Sequence, residues 1–299
     1  MENFALIFSA IFIGYAISKR DIFAINTPLI LNQFIIYISI PALILLKVPK
    51  LSFSFEIFIP VFIAWIVLIT SALVVFYLCK IFAFSKEVTG SLMLVGVLGN
   101  TTYLGIPIVE AYFGTEALGY VLMYDQLGTF IALSTYGTFI SVYYSSTQKV
   151  DKKALLFKML SFPPFVALVL AFGLIGNDFH PVVISVLSSL ASTIIPLALV
   201  AVGLQLKFKL PLHELKPFGV ALSVKLLFAP LVAFAVTMLF GWNSMAAKVS
   251  IMESAMAPMI TAAAIASMAG LAPRLSTAIV GYGILISFIT TWLVYKIII

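Results

Sequence analysis

The chain has 299 residues, 63% of them hydrophobic and only 9% charged, with a formal net charge of +6. A soluble domain carries roughly 25% charged residues, so this composition excludes a soluble enzyme or nucleic-acid-binding domain and assigns the surplus positive charge to the loop ends of a polytopic membrane protein. Cys79 stands alone, which excludes an intrachain disulfide and a thiolate metal cluster and leaves an inert buried thiol.

Ten apolar stretches follow in chain order, near residues 3–18, 29–47, 57–80, 88–111, 117–145, 155–176, 182–206, 217–240, 245–268 and 276–297. Each approaches the roughly 17–25 residues that cross a hydrocarbon core of about 30 Å. The opening "MENFALIFSAIFIGYAISKR" has no basic segment ahead of its apolar run, so it reads as a first span and not as a cleaved signal peptide. The connections are short and leave nothing for a soluble domain. Lys19, Arg20, Lys80, Lys86, Lys149, Lys152, Lys153, Lys158, Lys207, Lys209, Lys216 and Arg274 fall in one set of loops, against Lys47, Lys50, Lys248 and Lys296 in the other. The positive-inside rule then puts both termini outside and the central loop "SSTQKVDKK" in the cytoplasm. The expected location is the cytoplasmic membrane.

The halves echo each other. "SIPALILLKVPKLSFSF" at 39–55 and "IIPLALVAVGLQLKFKL" at 194–210 share Ile40, Pro41, Leu51 and Phe53 with Ile195, Pro196, Leu206 and Phe208. Five spans separate the copies, an odd number, so they lie upside down relative to each other, and the copy rich in lysine falls on the cytoplasmic side. The expected fold is therefore an all-α polytopic membrane protein of ten transmembrane helices in two inverted five-helix repeats, 1–147 and 148–299, a recurrent plan of secondary transporters.

The fourth span of each half is interrupted. The first carries Gly99-Asn100-Thr101 and Gly105-Ile106-Pro107; the second, "KVSIMESAMAPMITAAAIASMAG", carries Pro258. An unpaired backbone group in lipid costs several kcal/mol, so such breaks persist only inside protein or beside a wet cavity. One reading is a proline kink in a packed helix. The other is a pair of crossed, unwound helices 4 and 9, whose half-helix N-termini offer N–H groups to an anion while unwound carbonyls hold a cation. Asn100, Thr101, Gly105, Pro107 and Pro258 are then the candidate substrate site.

Asp125, Lys225 and Glu253 lie well inside spans, at about 2.5–3.5 kcal/mol each on the insertion scale. They read either as an ion pair that locks helices, with Lys225 joined to Asp125 or Glu253, or as coupling groups. Asp125 is the candidate for proton exchange. Glu253 lies close to the second break and, with Asn100 and Thr101, supplies oxygen ligands that suit sodium. Apart from a proton or sodium as coupling ion, no cofactor is expected. His180 and His213 read as loop residues. Ala262, Ala266 and Gly270 form a small-residue packing stripe, and Gly281-Tyr282-Gly283 lacks the third glycine of a dinucleotide site. The chain shows no P-loop, no HExxH and no nucleophile–base pair, so no enzyme is expected.

"GNTTYLGIPIVEAYFG" followed by "YDQLGTF" resembles the auxin efflux carrier family, which includes plant PIN proteins and bacterial organic-acid carriers. "SIPALIL", "PLALVAVGLQL", "VKLLFAPL" and "MESAMAPMITAAAIA" extend the resemblance over nearly the whole chain. It implies a scaffold domain and a transport domain, each built from both halves, and an elevator-type movement. It also implies a crossover site marked by Asn100, Pro107 and Pro258, with Gln126 lining the substrate pocket. The short 146–154 loop departs from plant members and argues for a compact bacterial-type carrier. Glu253 resembles the acidic residue of the related bile-acid sodium symporters. The expected function is secondary transport of a small organic anion, such as a carboxylate or auxin-like acid. A sodium-coupled symporter and a channel or membrane sensor are the alternatives, and a homodimer is a further expectation.

Overall fold

The computed structural model describes residues 2–20, 22–51, 54–145, 157, 160–177, 179–208 and 214–299. Phe53, Lys149, Lys152, Lys153, Lys158, Lys209, His213 and the expected boundary between residues 147 and 148 lie outside the described residues.

Among the described residues the chain is helical, and its extended pairing is confined to one isolated bridge. In chain order the helices are α1 (Glu2–Ser18), α2 (Thr27–Lys50), α3 (Phe55–Ile81), α4 (Lys86–Val95), α5 (101–113), α6 (118–144), α7 (Pro163–Gly173), α8 (Pro181–Gln205), α9 (Leu215–Leu239), α10 (Met245–Ser254), α11 (Ile260–Met268) and α12 (Pro273–Ile298). Helices α2, α3, α8, α9 and α12 are long and apolar enough to cross a membrane, and α1 and α7 are shorter apolar helices. The expected fourth and ninth spans are each divided, into α4 and α5 and into α10 and α11.

Local chemistry sets several helix ends. The Ser85 hydroxyl accepts a hydrogen bond from the Val88 N–H and caps α4. Gly114 at φ 78° and Gly270 at φ 73° supply the left-handed residue that stops α5 and α11. Prolines inside helices have a different effect. Pro41, Pro107 and Pro230 each stand two residues beyond a wide π-helical turn, at Ile35–Ser39, Thr101–Gly105 and Val224–Phe228. Proline lacks an N–H and its ring crowds the preceding turn. Widening that turn by one residue keeps the helix continuous where the ordinary ladder fails.

The surface carries many large apolar side chains, and the mainly apolar interior also holds polar and ionisable groups. Phe12, Phe62, Leu231 and Trp292 are exposed, while Asn100, Thr101, Asp125, Gln126, Lys225 and Glu253 are buried. Helices α1, α2, α7 and α8 pack on one another, and α3, α4, α6, α9, α10, α11 and α12 form a second packed group that also holds α5. Each group draws on both ends of the chain. The two halves of the chain meet inside the first group, where the hydroxyls of Ser39 and of Thr193, the residue just before the second matched segment, are 2.7 Å apart.

The closest helix crossing joins α1 to α8. A Cβ at Gly14 would stand 2.3 Å from the Val200 carbonyl oxygen, and one at Gly203 would stand 2.2 Å from that of Ile11. Gly14→Ala and Gly203→Ala should therefore each lower the thermal midpoint of the purified protein. Gly219→Ala, in α9 with nothing within 4 Å of the added Cβ, should be neutral or stabilise by up to about 1 kcal/mol. A Gly14→Ala protein that melts with the wild type would show that α1 and α8 are not in backbone contact.

Candidate functional site

The chain unwinds between α4 and α5, over residues 96–100, and again between α10 and α11, over residues 255–259. The two openings pair with each other. The Asn100 N–H donates to the Ala257 carbonyl at 2.8 Å and the Met259 N–H donates to the Leu98 carbonyl at 3.0 Å, an antiparallel bridge of Gly99 with Pro258. Pro258 has no N–H to contribute, and none is required of it here. The pairing satisfies backbone groups that lipid would leave without partners.

This arrangement sorts the four helix ends. Helices α5 and α11 start at the bridge and present their N-termini, while α4 and α10 finish there and present carbonyls. A cavity of about 440 Å³ adjoins the two N-termini. Its polar lining comes from Asn100, Thr102, Tyr103, Asp125, Gln126, Ser134, Thr138 and Thr261, and its apolar wall includes Ile36 and Ile40 of α2, Phe162, Met259 and Phe130. Phe130 and Phe162 stack at 4.0 Å. The cavity therefore lies between the two packed groups of helices.

Asn100 caps α5: its side-chain oxygen accepts from the Tyr103 N–H at 3.3 Å, and its amide nitrogen has no partner. The Gln126 amide donates to Asp125 Oδ2 at 2.6 Å, and its oxygen has no partner. Both residues are 2% exposed. One unpaired donor and one unpaired acceptor thus sit on the wall of a single cavity. Asp125 Oδ1 accepts from Thr101 at 2.5 Å and from Thr102 at 2.7 Å, which ties α6 to the first turn of α5.

A second, smaller cavity of about 20 Å³ adjoins the C-terminal ends and has room for a single water-sized group. Gly99, Thr101, Tyr124, Lys225 and Glu253 are among its lining residues. Glu253 is fully buried and neither of its carboxyl oxygens has a hydrogen-bond partner. A Cβ at Gly105 would lie 2.5 Å from both of those oxygens, so glycine is what leaves them space.

Three expectations change. Lys225 does not pair with a carboxylate: its ammonium donates to the Ser254 carbonyl at 2.7 Å, because the negative end of α10 lies within reach. Pro107 does not hold a break open. It is buried in continuous helix, lines neither cavity, and its missing donor is absorbed by the π turn before it. The residues suggested for sodium are divided, with Asn100 on the large cavity and Thr101 and Glu253 on the small one. No cluster of histidine, cysteine and acidic residues suited to a metal occurs among the described residues.

Other sequence features resolve as packing. Gly283 lies against Pro258, which would stand 2.6 Å from an added Cβ, and Gly281 lies against the Lys207 carbonyl. The Gly-Tyr-Gly string thus seats α12 beside the second opening. Ala262 and Ala266 are fully buried, as expected of a packing stripe, but Gly270 is exposed past the end of α11 with nothing within 4 Å of an added Cβ and is not part of it. His180 caps α8 by accepting from the Val182 N–H. Cys79 is a buried free thiol. Sequence reasoning missed Thr102, Thr261 and the Phe130–Phe162 stack. Thr102, Thr261 and Phe130 all stood in the quoted strings without being singled out; Phe162 carries no local signal.

A family model described as "Membrane transport protein" matches residues 1–295. An uncharacterized transporter of Methanocaldococcus jannaschii is 29% identical over 266 residues, covering 86% of this chain and 85% of that protein. An uncharacterized transporter of Methanothermobacter thermautotrophicus is 25% identical over 263 residues, covering 86% and 84%.

The contact of Gly105 with Glu253 predicts non-additivity. Gly105→Ala should destabilise the protein, Glu253→Ala should make room for the methyl group, and the double variant should be more stable than the sum of the single effects implies. Thermal midpoints of the four proteins measure the coupling, and strict additivity would remove that contact from the account.

Proposed function

Because the chain belongs to the membrane transport protein family, that of the auxin efflux carriers, we propose that it is a secondary carrier of a small organic anion, with its substrate site at the 440 Å³ cavity. The protein is a multi-pass membrane transporter and not an enzyme. The observation that carries the reading is the convergence of two half-helix N-termini with a buried, unpaired Asn100 amide on one cavity. Free N–H groups and the positive ends of helix dipoles favour a carboxylate, and the apolar wall suits a hydrocarbon or aromatic body.

In this reading α1, α2, α7 and α8 form the scaffold and the other helices form the transport domain, each drawing on both inverted halves. The cavity lies between them, so a rigid movement of one group against the other would carry the anion across. We assign Asp125, on the cavity wall, as the group that exchanges a proton. The bias of lysine and arginine supports a cytoplasmic membrane location with both termini outside.

Counterflow in liposomes tests the carrier. Uptake should saturate and should accelerate when substrate is present on the far side, and linear uptake without that acceleration would mean a channel. A thermal-shift screen of monocarboxylates and dicarboxylates identifies the substrate class. For the ligand it finds, Asn100→Ala should weaken binding about 10–100-fold, the loss of one hydrogen bond to a charged group, with expression intact. Wild-type affinity in that variant would move the site elsewhere. Pro258→Ala should weaken binding more than Pro107→Ala, because only Pro258 lies in an opening; equal effects would reject that distinction.

A further inference from the structure

The C-terminal side of the bridge is built for a cation. Helices α4 and α10 both end there, and each C-terminus carries a partial charge of about −0.5. Glu253 adds a fully buried carboxyl group with two unpartnered oxygens on the same small cavity. Backbone carbonyls and a carboxylate are the donors that hard cations take. The group that occupies this position belongs to the chain. Lys225 reaches in from the π turn of α9, is 2% exposed, and donates from Nζ to the Ser254 carbonyl at 2.7 Å.

Its seat is specific. A Cβ at Gly99 would stand 2.9 Å from Lys225 Cε and 3.1 Å from Nζ, so the ammonium lies directly on the backbone of the first opening while bonded to the last turn before the second. An ammonium has three donors, and the small cavity shared with Glu253 lies beside it. A lysine inside the membrane is costly to bury and is retained where it has a partner or a task. A role as a mere helix lock would be served as well by an apolar side chain.

We propose that Lys225 is a tethered cation whose ammonium fills a cation site formed by the C-terminal carbonyls of the two openings and Glu253, and that removing the side chain opens this site to a free monovalent cation such as sodium or methylammonium. The proposal deepens the carrier reading, because it assigns the counter-charge of the same paired openings. Its test requires no organic anion, so it gives an answer whether or not the substrate class is correct.

Thermal midpoints are measured for purified wild type, Lys225→Ala and Lys225→Ala/Glu253→Gln, in choline, sodium or methylammonium chloride at constant ionic strength. The wild type should melt at the same temperature in all three salts. Lys225→Ala should melt lower in choline and should rise by several degrees, saturably, with sodium or methylammonium, as expected of a ligand that binds the folded state. The double variant, with both charges removed, should not respond. Recovery of Lys225→Ala only when one of these two cations is present throughout purification is the same result in another form. The proposal is overturned if Lys225→Ala responds no more than the wild type, if the wild type itself is stabilised by sodium, or if Lys225→Ala is recovered in none of the salts.

Discussion

Two backbone hydrogen bonds, Asn100 to Ala257 and Met259 to Leu98, carry the rest of this structure. A hydrocarbon environment tolerates no unpaired peptide group, so a helix that opens inside a membrane protein must find another partner for its backbone. Here each opening is the partner of the other. Once they are joined, the polarity of the site follows without further design: two N-termini face one way and two C-termini the other. The large cavity adjoins the first pair and Lys225 adjoins the second.

The surrounding residues protect that junction. Gly99 leaves space for the lysine stem, Gly105 for the Glu253 carboxyl group and Gly283 for the Pro258 ring. Gly99 and Gly105 lie in and just beyond the first opening and Gly283 lies far along the chain, yet the three serve one purpose, which is to let polar or rigid groups approach the bridge more closely than any side chain would permit. The hydrogen bonds that Asp125 accepts from Thr101 and Thr102 fix the first turn of α5 relative to α6. The polar cavity wall and the bridge are therefore one connected unit, while Ile36, Ile40 and Phe162 across the cavity belong to, or border, the other group of helices.

Much of this was legible in the sequence because lipid makes hydropathy an exacting signal. The interruption of the fourth and ninth spans, with Asn100 and Pro258 at the two openings, could be read from residue types alone, whereas Gln126 came from the family resemblance. The partner of Lys225 could not. It is the carbonyl of Ser254, and a backbone acceptor has no letter in a sequence. Pro107 misled for a related reason. Proline announces a missing donor but does not say whether the chain will open or widen its turn, and packing decides between the two. The division of Asn100 from Glu253 between two cavities was equally hidden, since it depends on which way each side chain leaves the bridge.

The widened turns have a consequence of their own. A π turn holds one residue more than the α-helix around it, and absorbing that residue changes the direction in which the side chains of the turn point. Helix α6 contains two such turns, Tyr124–Phe130 and Leu133–Gly137, and neither leads to a proline. Deleting one residue from the first would restore ordinary helix and re-aim the side chains it holds, among them Asp125, Gln126 and Phe130 on the cavity wall. Deleting one from the second would re-aim Leu133 and Ser134 and leave Phe130 in place. The make-up of the cavity wall is thus stored as a count of residues along α6, and a one-codon deletion there would change it in a way that no single substitution can reproduce.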